Sequence, residues 1–191
     1  MVKKIPVNVP EPSESYTKVL HYFFSFPEKP LSLNDLARNV KSSKTAVKEA
    51  VARSIREGFL TKEVVGNAWR ISANPKSSLL ITRKIPYNLE LIYQTGIVTK
   101  VYEKIPEARA IILFGSYRWG TDNEKSDIDL AVEVLGDRPL RIEPLFVFEH
   151  LGFRKKVIVN LHLFSRGRID LNVFTNIANG IVLDGLLEVH P

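Results

Sequence analysis

The sequence predicts an α+β chain of two modules: a helical module that ends in a β-hairpin, then an α/β module with a small mixed sheet. In the first module, apolar residues at helical spacing end near Gly58, and two β-rich runs then flank Gly66-Asn67, a Gly/Asn pair that indicates a hairpin turn. In the second module, strand-like apolar runs alternate with helical ones. A stretch with several prolines and serines separates the two. We therefore expect domains at 15–75 and 88–191, joined by a connector at 76–87.

Composition narrows the class of protein. The chain has 191 residues, of which 45% are hydrophobic, and it has no cysteine. The apolar fraction is too high for a disordered chain, and the missing cysteines exclude disulfides and thiolate metal sites. No apolar run approaches a membrane span, and prolines interrupt the apolar residues after Lys3 and Lys4. We expect no secretory signal, no membrane partner and a cytoplasmic location.

Charge is divided unevenly along the chain. Residues 1–105 carry 17 basic and 9 acidic side chains, whereas residues 106–191 carry 10 basic and 12 acidic ones. A basic half followed by a mildly acidic half suggests two modules with different tasks. Basic surface attracts polyanions in general, so charge alone does not identify nucleic acid as the ligand.

Apolar periodicity and capping residues predict three helices in the first module. The first starts near Ser15, and the second follows Ser32, a good N-cap with Asp35 at the capping-box position. The third spans about Lys44–Glu57. Gly58 follows it where a left-handed C-cap belongs.

Three helices followed by a hairpin give the element order of a winged helix-turn-helix, and residues 16–73 resemble the winged-helix domains of small prokaryotic regulators. The resemblance implies that the third helix enters the major groove of double-stranded DNA and that the hairpin reaches the backbone or the minor groove. An alternative is that this module docks a protein or forms a homodimer. The expected DNA-binding residues are Ser43, Lys44, Thr45, Lys48, Arg53 and Arg70, with Asn67 as a further candidate on the hairpin.

Apolar patterns predict four further helices after the hairpin. We predict a long helix from Asn88 to Lys104 in which Gly96 weakens the pattern, and a short helix around 79–82 before it. We also predict helices at 140–151, with Pro144 in its first turn, and at 170–179, followed by Gly180 as a C-cap.

The stretch that carries chemistry follows the apolar strand at 110–114. Gly115-Ser116 ends that strand, and glycine there lets the backbone approach a ligand closely. A polar loop leads to a second strand that carries Asp127 and Asp129 on one face, because side chains alternate along a strand. Two carboxylates so close repel each other unless they share a hard cation such as Mg²⁺. The turn and the acids together predict a site for a metal-bound triphosphate.

This pattern resembles the signature of the DNA polymerase β-like nucleotidyltransferases, and in particular their minimal archaeal and bacterial members. The resemblance covers about residues 88–184. It implies transfer of an NMP group from an NTP, with ATP as the first choice, and Mg²⁺ as the metal held by Asp127 and Asp129. It also implies that Gly115, Ser116 and Ser126 bind the nucleotide phosphates. The residues that carry the pattern are Gly115, Ser116, Gly120, Ser126, Asp127 and Asp129.

The chain departs from the family at the third carboxylate, which family members supply from a later strand. The corresponding strand is 156–164, where Asn160 occupies the aligned position and His162 follows on the same face. Asn160 and His162 complete a weakened metal site, with His162 as ligand or general base, or else the domain binds nucleotide and transfers slowly or not at all.

Two hypotheses about function follow. The first is a nucleotidyltransferase with an unidentified acceptor, attached to a DNA- or partner-binding winged helix. Some members of the family act as antitoxins that modify a cognate toxin, so a protein partner is one candidate acceptor. The second is a DNA-binding transcriptional regulator or antitoxin whose nucleotidyltransferase-like domain is weak or inactive.

Overall fold

The α+β class predicted from the sequence is confirmed by the structure of the chain, a computed structural model that describes residues 4–5, 14–66 and 68–189. The hairpin candidate Asn67 lies outside these residues. The elements are β1 (Lys4–Ile5), α1 (Ser15–Ser25), α2 (Leu33–Asn39), α3 (Lys44–Arg56), β2 (Leu60–Val65), β3 (Ala68–Ala73), α4 (Ser78–Gln94), α5 (Ile97–Lys104), β4 (Ala110–Phe114), α6 (Gly115–Trp119), β5 (Ile128–Glu133), β6 (Arg141–Leu151), β7 (Arg154–Phe164), a 3-10 turn (Arg166–Arg168), α7 (Leu171–Ala178) and β8 (Ile181–Gly185).

The chain divides into two compact units. The helical unit is Pro10–Tyr87, and the sheet unit is Met1–Val9 together with Asn88–Pro191. The division falls inside α4, so most of the residues expected to form a connector are helical. Within the described part of the chain, no helix is both long enough and apolar enough to cross a membrane.

In the helical unit, short-range hydrogen bonds set where the helices begin. Ser32 Oγ accepts the amide hydrogen of Asp35 at 3.1 Å, and Ser43 Oγ accepts that of Ala46 at 3.2 Å. These bonds satisfy amides that have no acceptor within α2 and α3. Gly58 has φ +75°, the left-handed conformation expected of it.

The hairpin pairs β2 and β3 in antiparallel register from Leu60–Ala73 to Val65–Ala68. An isolated antiparallel bridge between Leu31 and Ile71 ties the start of the α2 region to β3. Three helices followed by a hairpin is therefore the observed order of elements in this unit.

The sheet unit is built on six strands in the order β1-β6-β7-β5-β4-β8. The sheet is mixed, because β7 runs parallel to β5 and β1 parallel to β6, while the other neighbours are antiparallel. β4 and β5 both have a strand on each side and are almost fully buried, which explains their apolar runs. Helix α7 covers part of one face, where Ile177 packs against Ile112 and Phe164.

The helix predicted at 140–151 is wrong, because β6 occupies this segment and pairs with β7. Phe146 and Phe148 are buried at alternate positions, which is the period of a strand. Pro144 does not open a helix: it lies at a register shift between β6 and β7, where a strand tolerates a residue with no amide hydrogen.

The helix predicted from Asn88 to Lys104 is two helices, and the first of them begins ten residues earlier, at Ser78. Gly96 separates them with φ +65°, so the weak point in the pattern is the break itself. Pro86 lies inside α4 without ending it.

Gly180 follows α7 as predicted but is not a left-handed C-cap, since Asn179 caps the helix and Gly180 has no positive φ. A Cβ atom on Gly180 would lie 2.4 Å from Ile112 Cγ2 and 2.7 Å from the Leu113 oxygen. Glycine is needed here because the chain passes directly over β4.

Candidate active site

Strand register places the acidic residues of β5 beside the glycine–serine turn. Asp129 is paired with Phe114 of β4 on one side and with Asn160 of β7 on the other. Residues directly opposite one another lie on the same face of a sheet, so these three form one row across three strands. Gly115 is the next residue after Phe114 in the chain.

Gly115 packs its backbone against the carboxylate of Asp129. Its φ is +69°, and a Cβ atom at this position would lie 2.8 Å from Asp129 Oδ2. Any other residue would carry its Cβ atom into that carboxylate in a backbone conformation that L-residues rarely adopt. The turn and the acid therefore face the same space.

The glycine–serine turn is the first turn of the short helix α6 rather than an isolated bend. Phe114, its N-cap, makes no side-chain capping bond, and Gly120 ends the helix in the left-handed conformation with φ +68°. The first amides of a helix have no acceptor within it, so those at Gly115 and Ser116 are suited to an anion.

Each acid of the pair has a polar partner on β7. Asn160 Nδ2 donates to Asp127 Oδ2 at 3.3 Å, and His162 Nε2 lies 3.2 Å from Asp129 Oδ1. The side chains of Asp129 and His162 are 28% and 14% exposed, and the imidazole ring meets Phe114 edge-on at 4.8 Å. We call Asp127, Asp129, Asn160 and His162 the acidic cluster. Asp127 immediately precedes β5 rather than lying within it.

The donor groups of the acidic cluster are two carboxylates, one amide and one imidazole. Within the described ranges, no three or more His, Cys, Asp or Glu side chains are arranged to hold a metal ion. The two acids supply the oxygen ligands that Mg²⁺ prefers. Asn160 turns its amide nitrogen toward Asp127.

Ser126, expected to bind phosphate, uses its hydroxyl within its own loop. Its Oγ accepts the amide hydrogen of Asn123 at 3.0 Å, and its carbonyl oxygen accepts a hydrogen bond from Arg154. The structure places Ser126 next to Asp127, where it shapes the loop that leads into the acid pair.

Three buried residues beside the site were not predicted to contribute to it: Arg154, Tyr117 and Asn88. Arg154 Nη1 donates to the Tyr117 hydroxyl at 2.5 Å, and Asn88 Nδ2 donates to the Tyr117 carbonyl oxygen at 3.1 Å. Burial raises the pKa of Tyr117, so its hydroxyl stays protonated. Their partners are about 30 or more residues away in sequence, which no local pattern reveals.

In the helical unit, four of the six expected DNA-binding residues lie together at the start of α3. Ser43, Lys44, Thr45 and Lys48 are all exposed there. A cavity of about 260 Å³ is lined by Lys44, Lys48 and Trp69 among others. The Nζ atoms of Lys62 and Lys48 lie 4.2 and 5.9 Å from the centre of the Trp69 ring. We call Lys44, Lys48, Lys62 and Trp69 the basic cluster.

In the structure, Arg53 and Arg70 each lie beside a glutamate. Arg53 donates to Glu57 at 3.0 Å and stacks its guanidinium 3.8 Å from the Tyr16 ring centre. Nine residues separate it from Lys44, which at 100° per residue puts the two on opposite sides of α3. Arg70 is exposed and lies 3.8 Å from Glu63.

Comparison with protein families bears on the sheet unit. Residues 97–176 match a family model described as "Polymerase beta, Nucleotidyltransferase". Comparison with the curated proteins finds no match to this chain. The matched segment contains Gly115, Ser116 and the whole acidic cluster, so the candidate site lies within the part of the chain that is similar to this family.

Proposed function

We propose that residues 88–191 act as a Mg²⁺-dependent nucleotidyltransferase that moves an NMP group from an NTP, with ATP as our first choice, to a hydroxyl group of an acceptor. The observation that carries this proposal is the packing of Gly115 against Asp129, where a Cβ atom would lie 2.8 Å from Oδ2. A turn that exposes amides and a carboxylate that binds cations meet there without a side chain between them. Such an arrangement suits a phosphate chain that carries a metal ion.

The chemistry of the donor set fits Mg²⁺. Mg²⁺ is commonly held by one or two carboxylates together with substrate phosphates, so Asp127 and Asp129 are sufficient protein ligands. We assign Asn160 to the neutral third position, within 3.3 Å of Asp127. When bound, Mg²⁺ would offset the negative charge of the phosphates and the entering oxygen.

The remaining residues of the site bind the phosphates and the acceptor proton. Ser116 and the first amides of α6 would hold the β- and γ-phosphates. His162 is our candidate base. A carboxylate only accepts hydrogen bonds, so Nε2, which faces Asp129, carries the ring hydrogen, and the lone pair of Nδ1 is left for a proton.

The proposed step exchanges one phosphorus–oxygen bond for another. The acceptor oxygen forms a bond to the α-phosphorus, and the bond from that phosphorus to the oxygen bridging the β-phosphate breaks. Pyrophosphate leaves with the electron pair, and the acceptor proton passes to His162. The acceptor then carries the NMP group as a phosphodiester, and the same holds where the hydroxyl group belongs to a protein side chain.

Labelled NTPs test this proposal directly. The full chain is incubated with each α-³²P-labelled NTP, Mg²⁺ and candidate acceptors, which include proteins, RNA ends and small molecules with hydroxyl groups. We expect labelled acceptor with the wild-type chain and a loss of about 1,000-fold or more in Asp127→Asn and Asp129→Asn, since each removes a metal ligand. Asp137→Asn is the matched control, because Asp137 is an exposed acid of the same unit, paired with Arg168. Equal labelling in all four chains would contradict the proposal.

The neutral side chain at Asn160 favours a second candidate function, a regulator or antitoxin whose domain binds nucleotide without transferring it. The same incubation separates the two functions when equilibrium dialysis of α,β-methylene-ATP is measured beside it. Mg²⁺-dependent binding with no label transfer to any acceptor supports the regulator. Transfer that depends on the acid pair supports the enzyme.

We further propose that residues 15–75 are a winged helix-turn-helix domain that binds double-stranded DNA through the basic cluster and the start of α3. Support comes from the exposed lysines around the cavity beside Trp69. Each lysine that contacts a phosphate steepens the slope of log binding constant against log salt concentration by about one.

Fluorescence anisotropy with a mixed-sequence DNA duplex, repeated over a range of salt concentrations, tests this second proposal. Lys44→Ala and Lys48→Ala should each weaken binding at every sequence and reduce the salt slope by about one. Lys100→Ala removes the same charge from α5 and is the control. If the wild-type chain does not bind DNA, light scattering with and without a partner protein distinguishes homodimerisation from docking.

A further inference from the structure

A buried arginine joins the two segments that carry the candidate active site. Arg154, the first residue of β7, is 5% exposed. Its Nη1 donates to the hydroxyl of Tyr117 at 2.5 Å. Its Nη2 donates to the carbonyl oxygen of Ser126 and, at 3.4 Å, to that of Glu124. Tyr117 lies on α6 and Ser126 immediately precedes Asp127, so one guanidinium holds both the phosphate turn and the loop that leads to the acids.

A second buried side chain joins the same two segments. Asn88 is 1% exposed, and its Nδ2 donates to the carbonyl oxygen of Tyr117 at 3.1 Å and to Asp122 Oδ1 at 2.7 Å. Helix α6 is therefore fixed to the loop before β5 at two points.

Burying the guanidinium of Arg154 here costs free energy. Among the described residues, its Nε is buried and has no hydrogen-bond partner. An apolar side chain of similar volume would not itself bring an unpaired N–H group into this space. The planar fork of arginine, however, directs several donors in fixed directions, so it can hold separate segments at a set distance.

The geometry points to Arg154 as a positioning residue that sets the distance between the Gly115-Ser116 turn and the Asp127/Asp129 pair. This inference rests on the proposed function, because it takes the turn and the acids to grip one metal-bound triphosphate from two sides. Arg154 acts through Tyr117 and Ser126, and its hydrogen bonds go to these residues and to Glu124.

The effect of Mg²⁺ on nucleotide affinity distinguishes a positioning role of Arg154 from a general contribution to stability. We would measure the affinity of the full chain for α,β-methylene-ATP with and without Mg²⁺. In the wild-type chain, Mg²⁺ should tighten binding. In Arg154→Lys and Tyr117→Phe, this gain should fall about tenfold or more, as for other groups that orient metal ligands, while metal-free affinity stays within about twofold.

Arg168→Lys is the matched control, since Arg168 makes an exposed two-bond contact with Asp137 at 2.5 and 2.8 Å. It should leave the Mg²⁺ gain unchanged. Arg154 is overturned as a positioning residue if Arg154→Lys and Tyr117→Phe lose affinity equally with and without Mg²⁺, or lose none. Tyr117→Phe removes a single hydroxyl and decides the matter should Arg154→Lys fail to fold.

Hydrogen exchange of the ligand-free chain tests the role of Arg154 independently of the proposed function, because it requires no nucleotide binding. Amides in residues 115–127 should exchange at least about tenfold faster in Arg154→Lys and Tyr117→Phe than in the wild-type chain or Arg168→Lys, because segments held by fewer buried bonds open more often. If the wild-type chain binds no nucleotide in Mg²⁺, the proposed function fails and exchange alone decides. Unchanged exchange would overturn the link between α6 and the loop.

Discussion

The acidic cluster of the sheet unit and the basic cluster of the helical unit are held in opposite ways. In the acidic cluster, partners are 33 residues apart in sequence and half-buried, as for His162 and Asp129. In the basic cluster, Lys44 and Lys48 are exposed and one helical turn apart on α3.

This difference predicts how each cluster responds to mutation. A half-buried group with one fixed partner leaves that partner unpaired when it is removed, which is costly. Exposed lysines on one helix face act nearly independently through a screened field, so their effects are small and additive. Single substitutions should therefore matter most in the acidic cluster.

Among substitutions that leave both acids in place, Gly115→Ala should have the largest effect. The added Cβ would meet Asp129 Oδ2 at 2.8 Å in a chain segment with φ +69°, so the turn and the carboxylate must move apart. We expect a loss of about 100-fold in nucleotide affinity or transfer, in the range seen when a group near the reacting atoms is misplaced. Gly136→Ala is the control, since Gly136 also has a positive φ, +108°, but open space around it. Similar losses in both variants would show that backbone strain, and not the contact with Asp129, is responsible.

Asn160→Asp ranks second and tests the metal site without any acceptor. The new carboxylate would lie about as close to Asp127 as the Asn160 amide does now, at 3.3 Å, and would repel it. We expect a loss of about 1–3 kcal/mol in stability without metal, because a hydrogen bond becomes a repulsive contact. Mg²⁺ should restore more stability to this variant than to the wild-type chain. Thermal unfolding with and without Mg²⁺ measures both, and an equal Mg²⁺ effect in the two chains would argue against a shared cation.

The same contrast explains which parts of the molecule could be predicted from the sequence. The starts of α2 and α3 follow from Ser32 and Ser43, whose bonds span three residues. The acid pair and the turn are also local patterns. Arg154 had no such signal, because its acceptors are 28 to 37 residues away and the register between strands decides which of them it meets.

The error at 140–151 has a similar origin. The apolar residues of this segment fit a helical spacing. The segment forms a strand because it pairs with β7, and this pairing buries Phe146 and Phe148 at alternate positions. In the helical unit, by contrast, the local capping signals of α2 and α3 agree with the structure, although most of the connector expected at 76–87 is helical. Local preference thus decides where α2 and α3 begin, whereas long-range pairing decides the region around the site.

Ser43→Ala should have a smaller effect, confined to the helical unit. The variant loses the bond from the Ala46 amide, and replacing an N-cap serine costs about 1 kcal/mol. Ser43→Asn keeps a capping side chain and should cost little. Urea unfolding followed by fluorescence measures this, with Trp119→Phe in the background so that Trp69 alone reports. Equal stability of the alanine and asparagine variants would mean that the cap contributes nothing here.

The smallest effect concerns an ionic network in the helical unit and depends on pH. The hydrogen bond from the Tyr16 hydroxyl, followed by that from Arg53 and the charge of Arg83, holds the pKa of Glu57 below its ordinary value of 4.5. A carboxyl group with a lowered pKa stabilises the fold above the unfolded value and loses that contribution as pH falls through the folded one.

Glu57→Gln should therefore cost about 0.5–1 kcal/mol near pH 7, as expected for a partly exposed ion pair, and almost nothing near pH 3. Urea unfolding at the two pH values, again with Trp69 as the reporter, measures the difference. Glu49→Gln, which removes the charge of an exposed acid of α3, is the matched control. A cost of Glu57→Gln that stayed constant between the two pH values would assign it to packing of the side chain rather than to its charge.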